Sequence, residues 1–500
     1  MEYAIKLSPY AKIFYNEWLL APESSTYNIS IDQILHGNLD VNRLKKALNR
    51  YIAEHVLLNS HIQEIDEEPH WVKNNAIKEL EYSDNPIDKS ELLNYVTNSF
   101  NLYTGPLYRF KLIRLNTDAH RFIAVFHHLV VDGSKSLDPG VFQAIANYYN
   151  NENYTAKYSI NEQIELISNL ACELTNNLNQ NEIKYKNFWR TQLSDVENID
   201  LTFLKLSKTH TENNADESFN PIQEITFKFN YTELVALSQL KNKYAITPYI
   251  YGQCIFALLL HKYTGQERLA ISYPVAIKEG IDFIYGAQIN TNLIPYQFNK
   301  LTTIVDLFNQ NQDFFKLTLR DNIKYGYCPI YAITNDNKNS GLLNISFAQT
   351  FFREAPFAFT GIKNVETIAE LSIDGVAKDT LLFEHDARNN KLNYRVRYDE
   401  RTINKELLNN FINSYKKLFI EVLADLTQNN TIKQIATYNL LNEKQYQQLV
   451  YEFNQTEKDY PQNKTIHELF EERAGIAPNN IAIMYGNTKP TIPLKKLRAK

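Results

Sequence analysis

From Arg121 to Val131 the chain reads Arg-Phe-Ile-Ala-Val-Phe-His-His-Leu-Val-Val, a nearly unbroken apolar run. Its length suits a strand, and the lack of polar alternation predicts one covered on both faces. Such a strand needs helices packed on its sheet, so the run points to an α/β layer architecture. The flanking sequence supplies the other layers. Asp40 can cap a helix whose apolar positions Val41, Leu44, Leu48, Tyr51 and Ile52 recur at helical spacing, and Leu107–Leu115 alternates as a partner strand. Asp138 and Pro139 read as the N-cap and first helical position of a helix over Gly140–Asn150. One α/β lobe is therefore expected over residues 1–175.

The same grammar returns further on. A long polar-faced helix is expected over Asn161–Gln192, and the polar loop Thr211–Asp216 marks the crossover to a second lobe, residues 176–435. That lobe is expected to hold helices near Thr232–Tyr244 and Pro248–Tyr263, then strands at Leu269–Ala276, Ile289–Pro295 and Leu343–Phe352. A strand at Asn390–Tyr398 and a long amphipathic helix over Ile403–Leu423 complete it. From about Gln428 the pattern loosens. Residues 436–464 are expected to be a linker, with Asn454–Lys464 rich in Asn, Gln, Lys and Pro, and a fresh helix at Thr465 opens a third domain, residues 465–500.

Composition removes several functions. Fourteen glycines in 500 residues is under half the usual ~7%, and neither GxGxxG nor GxxxxGK[ST] occurs, which argues against a nucleotide-binding fold. With 52 basic against 57 acidic residues, no positive field is available for nucleic acid or an anionic membrane. The three cysteines are far apart and form neither a disulfide framework nor a CxxC metal site. Met1–Leu20 is interrupted by Lys6, Lys12, Asn16 and Glu17, so no signal peptide is expected. These readings anticipate a soluble, monomeric, cytoplasmic protein that binds no metal and no cofactor.

One constellation carries chemistry: His127-His128-Leu129-Val130-Val131-Asp132-Gly133, at the end of the apolar run. Neighbours on a strand point to opposite faces, so the two histidines cannot both line one cleft, nor meet one metal ion without a chain reversal. The residues alone leave two readings open: both are satisfied core histidines, or one is structural and the other functional.

The segment resembles the HHxxxDG motif of nonribosomal peptide synthetase condensation domains, relatives of chloramphenicol acetyltransferase. Lesser motifs follow in the family's order. Leu7-Ser8-Pro9-Tyr10-Ala11 resembles the opening segment, Leu39-Asp40 to Ile62 the first helix, and Gly105-Pro106-Leu107-Tyr108-Arg109 the GPLxR strand entry. Ile246-Thr247-Pro248, Tyr263-Thr264-Gly265-Gln266 and Tyr285-Gly286 to Ile289-Asn290-Thr291 resemble signatures of the second lobe, so the resemblance spans about residues 5–435. Thr465-Ile466-His467-Glu468-Leu469-Phe470-Glu471, with Ala477-Pro478 and Ile481-Ala482, is similar to the start of an adenylation domain. That domain's phosphate loop and catalytic lysine would fall beyond Lys500, so this chain is not expected to activate an amino acid.

The resemblance implies two acetyltransferase-like lobes forming a V-shaped pseudo-dimer with the active site at their junction. It implies attack by the α-amine of an acceptor aminoacyl thioester on a donor acyl thioester, both carried on phosphopantetheine arms of carrier proteins. An adenylation domain of the same synthetase would follow. His128 is expected to accept or steer the amine's proton, His127 to be structural, and Gly133 to allow the turn after the strand. Asp132 is expected to hold its loop through an ion pair. Three positions depart from the family pattern: Ser134-Lys135-Ser136 stands where Trp-Ser usually follows the glycine, Asn59 replaces an arginine, and Lys278 replaces an arginine expected to pair with Asp132. Lysine is a point charge, which excludes a bidentate pair there. An epimerisation domain is disfavoured because no PxxGxGY segment occurs, and a cyclisation domain would carry DxxxxD. A catalytically silent module that keeps the fold and recruits partner proteins is the rival reading. The chain opens just before Leu7, so no upstream carrier is expected within it, and the donor's identity stays open.

Overall fold

The computed structural model describes residues 3–74, 77–131, 141–205, 222–277, 286–320, 324–330, 340–350, 359–368, 381–387, 390–441, 443–483 and 492–493. The chain divides into two compact units, Met1–Leu440 and Leu441–Lys500.

The first unit opens with strand β1 (Ala4–Lys6) and helix α1 (Pro9–Leu20), which starts at 9 because Ser8 accepts from the Ala11 N–H and Pro9 needs no donor. Strand β2 (Asn28–Gly37) and helix α2 (Val41–Ala53) follow, with Asp40 accepting from the Arg43 N–H at 2.9 Å as its spacing predicts. Next come β3 (Ser60–Ile65), β4 (Glu68–Lys73), β5 (Glu81–Ser83), α3 (Lys89–Thr97), β6 (Tyr108–Asn116), β7 (Ala119–His127) and α4 (Phe142–Asn150). Helix α5 (Ile160–Gln192), opened by a Ser159–Glu162 capping box, leads into the second half. The anticipated Asp138–Pro139 cap falls outside the described residues.

The second half contains β8 (Ile222–Phe229), α6 (Tyr231–Tyr244), α7 (Pro248–Thr264), β9 (Arg268–Ala276), β10 (Ile289–Gln297) and α8 (Ile304–Phe315). Then follow β11 (Ile345–Gln349), β12 (Ile362–Thr367), β13 (Leu381–Asp386), β14 (Leu392–Asp399) and α9 (Lys405–Thr427). Helix α7 is buried from Tyr251 through Leu260, which explains why its sequence is apolar all round. Of the strand read at Leu343–Phe352, the described residues form Ile345–Gln349, and residues 351–352 lie outside them.

Each half builds a sheet of the same grammar. In the first, β2, β7 and β6 run antiparallel to their neighbours and β5 lies parallel to β6; in the second, β8, β14, β13 and β11 repeat that order and those senses. The second sheet extends past β11 with β9 and β10, while β1, β4 and β3 form a small separate sheet. Each half has its own apolar core.

The two halves exchange one strand. β12, from the second half of the chain, pairs antiparallel with β2 and so extends the first lobe's sheet. Its entry needs glycine on both sides: Gly37 has φ +134° and a Cβ there would lie 2.2 Å from the Gly361 carbonyl oxygen, while Gly361 has φ +95°. Phe359, just before it, is buried in the first core with its ring 5.0 Å from that of Tyr149.

The second unit contains α10 (Glu443–Tyr446), α11 (Ile466–Ile476), with a Thr465–Glu468 capping box, and a hairpin of β15 (Ile481–Ile483) with β16 (Ile492–Pro493). No helix among the described residues is long and apolar enough to cross a membrane.

Candidate active site

The apolar run does not stay extended to Val131. β7 ends at His127, and the chain turns at once: the Val130 N–H donates to the His127 carbonyl at 3.1 Å and the Val131 N–H to the His128 carbonyl at 3.3 Å. Leu129, Val130 and Val131 are nonetheless buried, because the turn is covered by a segment from the second lobe. The Ala287 N–H donates to the Leu129 carbonyl at 3.3 Å. Gly286 has φ +65°, and a Cβ on it would lie 2.5 Å from that same carbonyl oxygen, so only glycine lets this segment approach. Apolarity therefore reports burial at residues 129–131, not strand.

The turn separates the two histidines. His127, still in register opposite Asn28, is 4% exposed. Its Nδ1 accepts from the Leu129 N–H at 3.1 Å, which leaves the ring proton on Nε2 in the neutral form. Burial pushes its pKa down from 6.5 to about 3, with neighbouring His128 adding to the shift, so it is uncharged at neutral pH. His128 is half-buried, its N–H donating to the Tyr27 carbonyl at 2.7 Å.

Beside His127 lies a buried cation, Arg109, that forms no ion pair among the described residues, although the charge of Glu81 favours it. Arg109 is 5% exposed; its guanidinium donates to the Asn98 carbonyl at 2.5 Å, at the C-terminal end of α3, and sits 4.2 Å from the centre of the Phe100 ring. The end of a helix and an aromatic face both favour positive charge, and burial lowers Arg109 only to about 10. Phe100 in turn meets His127 edge-on at 6.2 Å. Sequence reasoning met Arg109 only as part of a strand entry and did not find Phe100.

The lobes meet beside this turn. The Tyr10 hydroxyl donates to the Tyr327 carbonyl at 2.6 Å, the Ser8 hydroxyl to Gln288 Oε1 at 3.3 Å, and Tyr10, Leu170, Leu174 and Ile277 share a small apolar cluster. Asp132, Gly133 and Lys278 lie outside the described residues, and with them the expected ion pair. Among the described residues no group of three or more His, Cys, Asp and Glu side chains could hold a metal ion. Cys172 is exposed, Cys254 and Cys328 are buried, and all three are free thiols.

A family model described as the condensation domain matches residues 2–450. The chain belongs to that family. Among curated relatives, gramicidin S synthase 2 of Brevibacillus brevis is 24% identical over 499 residues, covering 95% of this chain and 10% of that protein. Tyrocidine synthase 2 of Brevibacillus parabrevis is 24% identical over 488 residues, covering 94% of this chain and 13% of that protein. The chain thus spans about a tenth of the length of these relatives. Among solved structures, the starter condensation domain of the rhizomide synthetase matches with a TM-score of 0.68 at 16% identity, over 88% of this chain and 100% of that one. A four-domain nonribosomal peptide synthetase, solved with AMP and glycine, matches with a TM-score of 0.70 at 14% identity, over 99% of this chain and 38% of that one. The two-lobed α/β fold expected from the sequence is the fold of these condensation domains.

Proposed function

We propose that this condensation domain forms an amide bond between two substrates delivered as thioesters on the phosphopantetheine arms of donor and acceptor carrier proteins. The acceptor's α-amine attacks the donor's acyl carbon. A C–N bond forms, the tetrahedral intermediate collapses with loss of the C–S bond, and the proton shed by the amine ends on the departing thiolate. An α-ammonium has a pKa near ~8, so a neutral imidazole at the right distance can accept or steer that proton. A thioester is already activated, and positioning of two tethered reactants supplies most of the remaining acceleration.

The observation that supports this reading is the turn at the end of β7, which buries His127 and leaves His128 half-buried beside the lobe junction. In this reading His128 handles the proton and His127 shapes the turn through its bond from the Leu129 N–H. The turn made by His127–Val131 precedes Gly133, so Gly133 is not needed to end the strand, and Asp132 fixes its own loop by an ion pair with Lys278. Residues 436–464 are the linker to an adenylation domain of the same synthetase, which begins at 465, and the whole works in the cytoplasm. His128→Ala should abolish amide formation from loaded carriers while leaving the protein folded at the assay temperature, since the half-buried ring gives up one aromatic contact, with Phe14. A variant that turns over at the wild-type rate would refute the assignment, and a wild-type chain inactive with every loaded carrier pair would favour a recruitment module.

A further inference from the structure

A histidine that handles protons is ordinarily oriented by a hydrogen bond from its second ring nitrogen to a carboxylate or carbonyl. Among the described residues His128 has no such bond: its Nδ1 is buried and without a hydrogen-bond partner, which leaves Nε2 as the accessible nitrogen. What holds the ring is aromatic. Phe14, on α1 and only 6% exposed, stacks on the imidazole with ring centres 5.0 Å apart and planes 30° apart. Phe14 is itself backed edge-on by Tyr27 at 4.9 Å, and the Tyr27 carbonyl accepts the His128 N–H, so ring and main chain of His128 are held by the same pair of residues. Helix α1 is anchored on either side of Phe14, by the Tyr10 hydroxyl on the Tyr327 carbonyl and by the Trp18 indole N–H on the Phe100 carbonyl.

We propose that Phe14 is a positioning residue for His128, taking the place of a hydrogen-bonding orienter: its face fixes the imidazole plane, covers Nδ1 and presents Nε2 to the acceptor amine. The proposal rests on the reading of His128 as the proton-handling group, so the test carries a readout that does not depend on it. Ring resonances of His128 in the full chain, assigned by their loss in His128→Ala, should be single and sharp in the wild type. In Phe14→Leu, which keeps the site apolar but removes the stacking face, they should shift and broaden. The kcat for amide formation should fall about 3- to 10-fold, the worth of one aromatic contact, with KM for both carriers unchanged. Phe14→Tyr keeps the face and should preserve signals and rate. Should Phe14→Leu melt below the assay temperature, Phe14→Met fills the same space without a ring and gives the same comparison. Unchanged ring signals in the Leu or Met variant would overturn the proposal, as would a kcat loss matched by the Tyr variant. Altered ring signals alongside an active His128→Ala would overturn the catalytic reading and leave Phe14 as the residue that orients the ring.

Discussion

Replacing His127 by Asn should make the protein less acid-sensitive even as it weakens it. Asn can offer its side-chain oxygen to the Leu129 N–H much as Nδ1 does, but it cannot take a proton. In the wild type His127 has a folded pKa of about 3 against 6.5 unfolded, with burial the main cause. Above pH 6.5 both states carry a neutral ring and the group contributes no pH dependence. As the pH falls through 6.5 the unfolded chain binds a proton that the folded chain refuses, so stability is lost continuously down to about pH 3. At pH 5 the gap is about 1.5 pKa units, or about 2 kcal/mol. The buried His385, whose pKa is lowered to about 4, adds a similar loss in both proteins and cancels from the comparison. At pH 7 the Asn variant should be less stable by about 1–3 kcal/mol, because it gives up the ring's packing against Phe100 and Tyr27. Urea unfolding of both proteins at pH 7 and pH 5 measures the double difference: the deficit should shrink by about 2 kcal/mol on acidification. If the variant loses as much stability between pH 7 and 5 as the wild type, His127 is protonated in the folded state and its role as a neutral buried acceptor is wrong.

Two further outcomes test the junction. Gly286→Ala should cost about 1–3 kcal/mol and lower amide formation, because the new methyl meets the Leu129 carbonyl at 2.5 Å and must push the turn carrying His128; thermal melting and turnover that both match the wild type would show that the segment is not tightly seated. For the proposed ion pair, Lys278→Ala should lower stability and turnover, Lys278→Arg should keep both, and a double-mutant cycle with Asp132→Asn should show coupling of about 0.5–3 kcal/mol, strict additivity meaning that the two residues do not interact.

Much of the lobes' secondary structure was legible because it is set by short-range chemistry. Asp40 and the Thr247–Pro248 pair start helices where their cap chemistry says, and the Pro248–Thr264 and Leu269–Ala276 stretches are apolar enough to be read as buried elements. β8 carries the same kind of local signal, since Ile225, Phe227 and Phe229 alternate with Glu224, Thr226 and Lys228. β12 offers no such signal. Ile-Lys-Asn-Val-Glu-Thr is an edge strand whose partner, β2, lies more than three hundred residues back, and its pairing is made chiefly of main-chain bonds, entered through Gly37 and Gly361, so its own side chains carry little of the signal. The stacking of Phe14 on His128 was equally hidden, since it joins α1 to a turn over a hundred residues away.

The sequence by itself determined that two α/β lobes follow one another and that a histidine pair stands at the end of a buried strand. Apolar runs, caps and motif order are local, and local forces suffice to read them. Tertiary structure decided where that strand stops and which histidine turns inward. His127 is the last residue of the ladder and His128 the first of the turn because Gly286 and Ala287 from the other lobe cover Leu129 and accept its geometry. An apolar residue is satisfied by burial of any kind, so its presence in the sequence cannot say whether a strand or a covering loop will bury it.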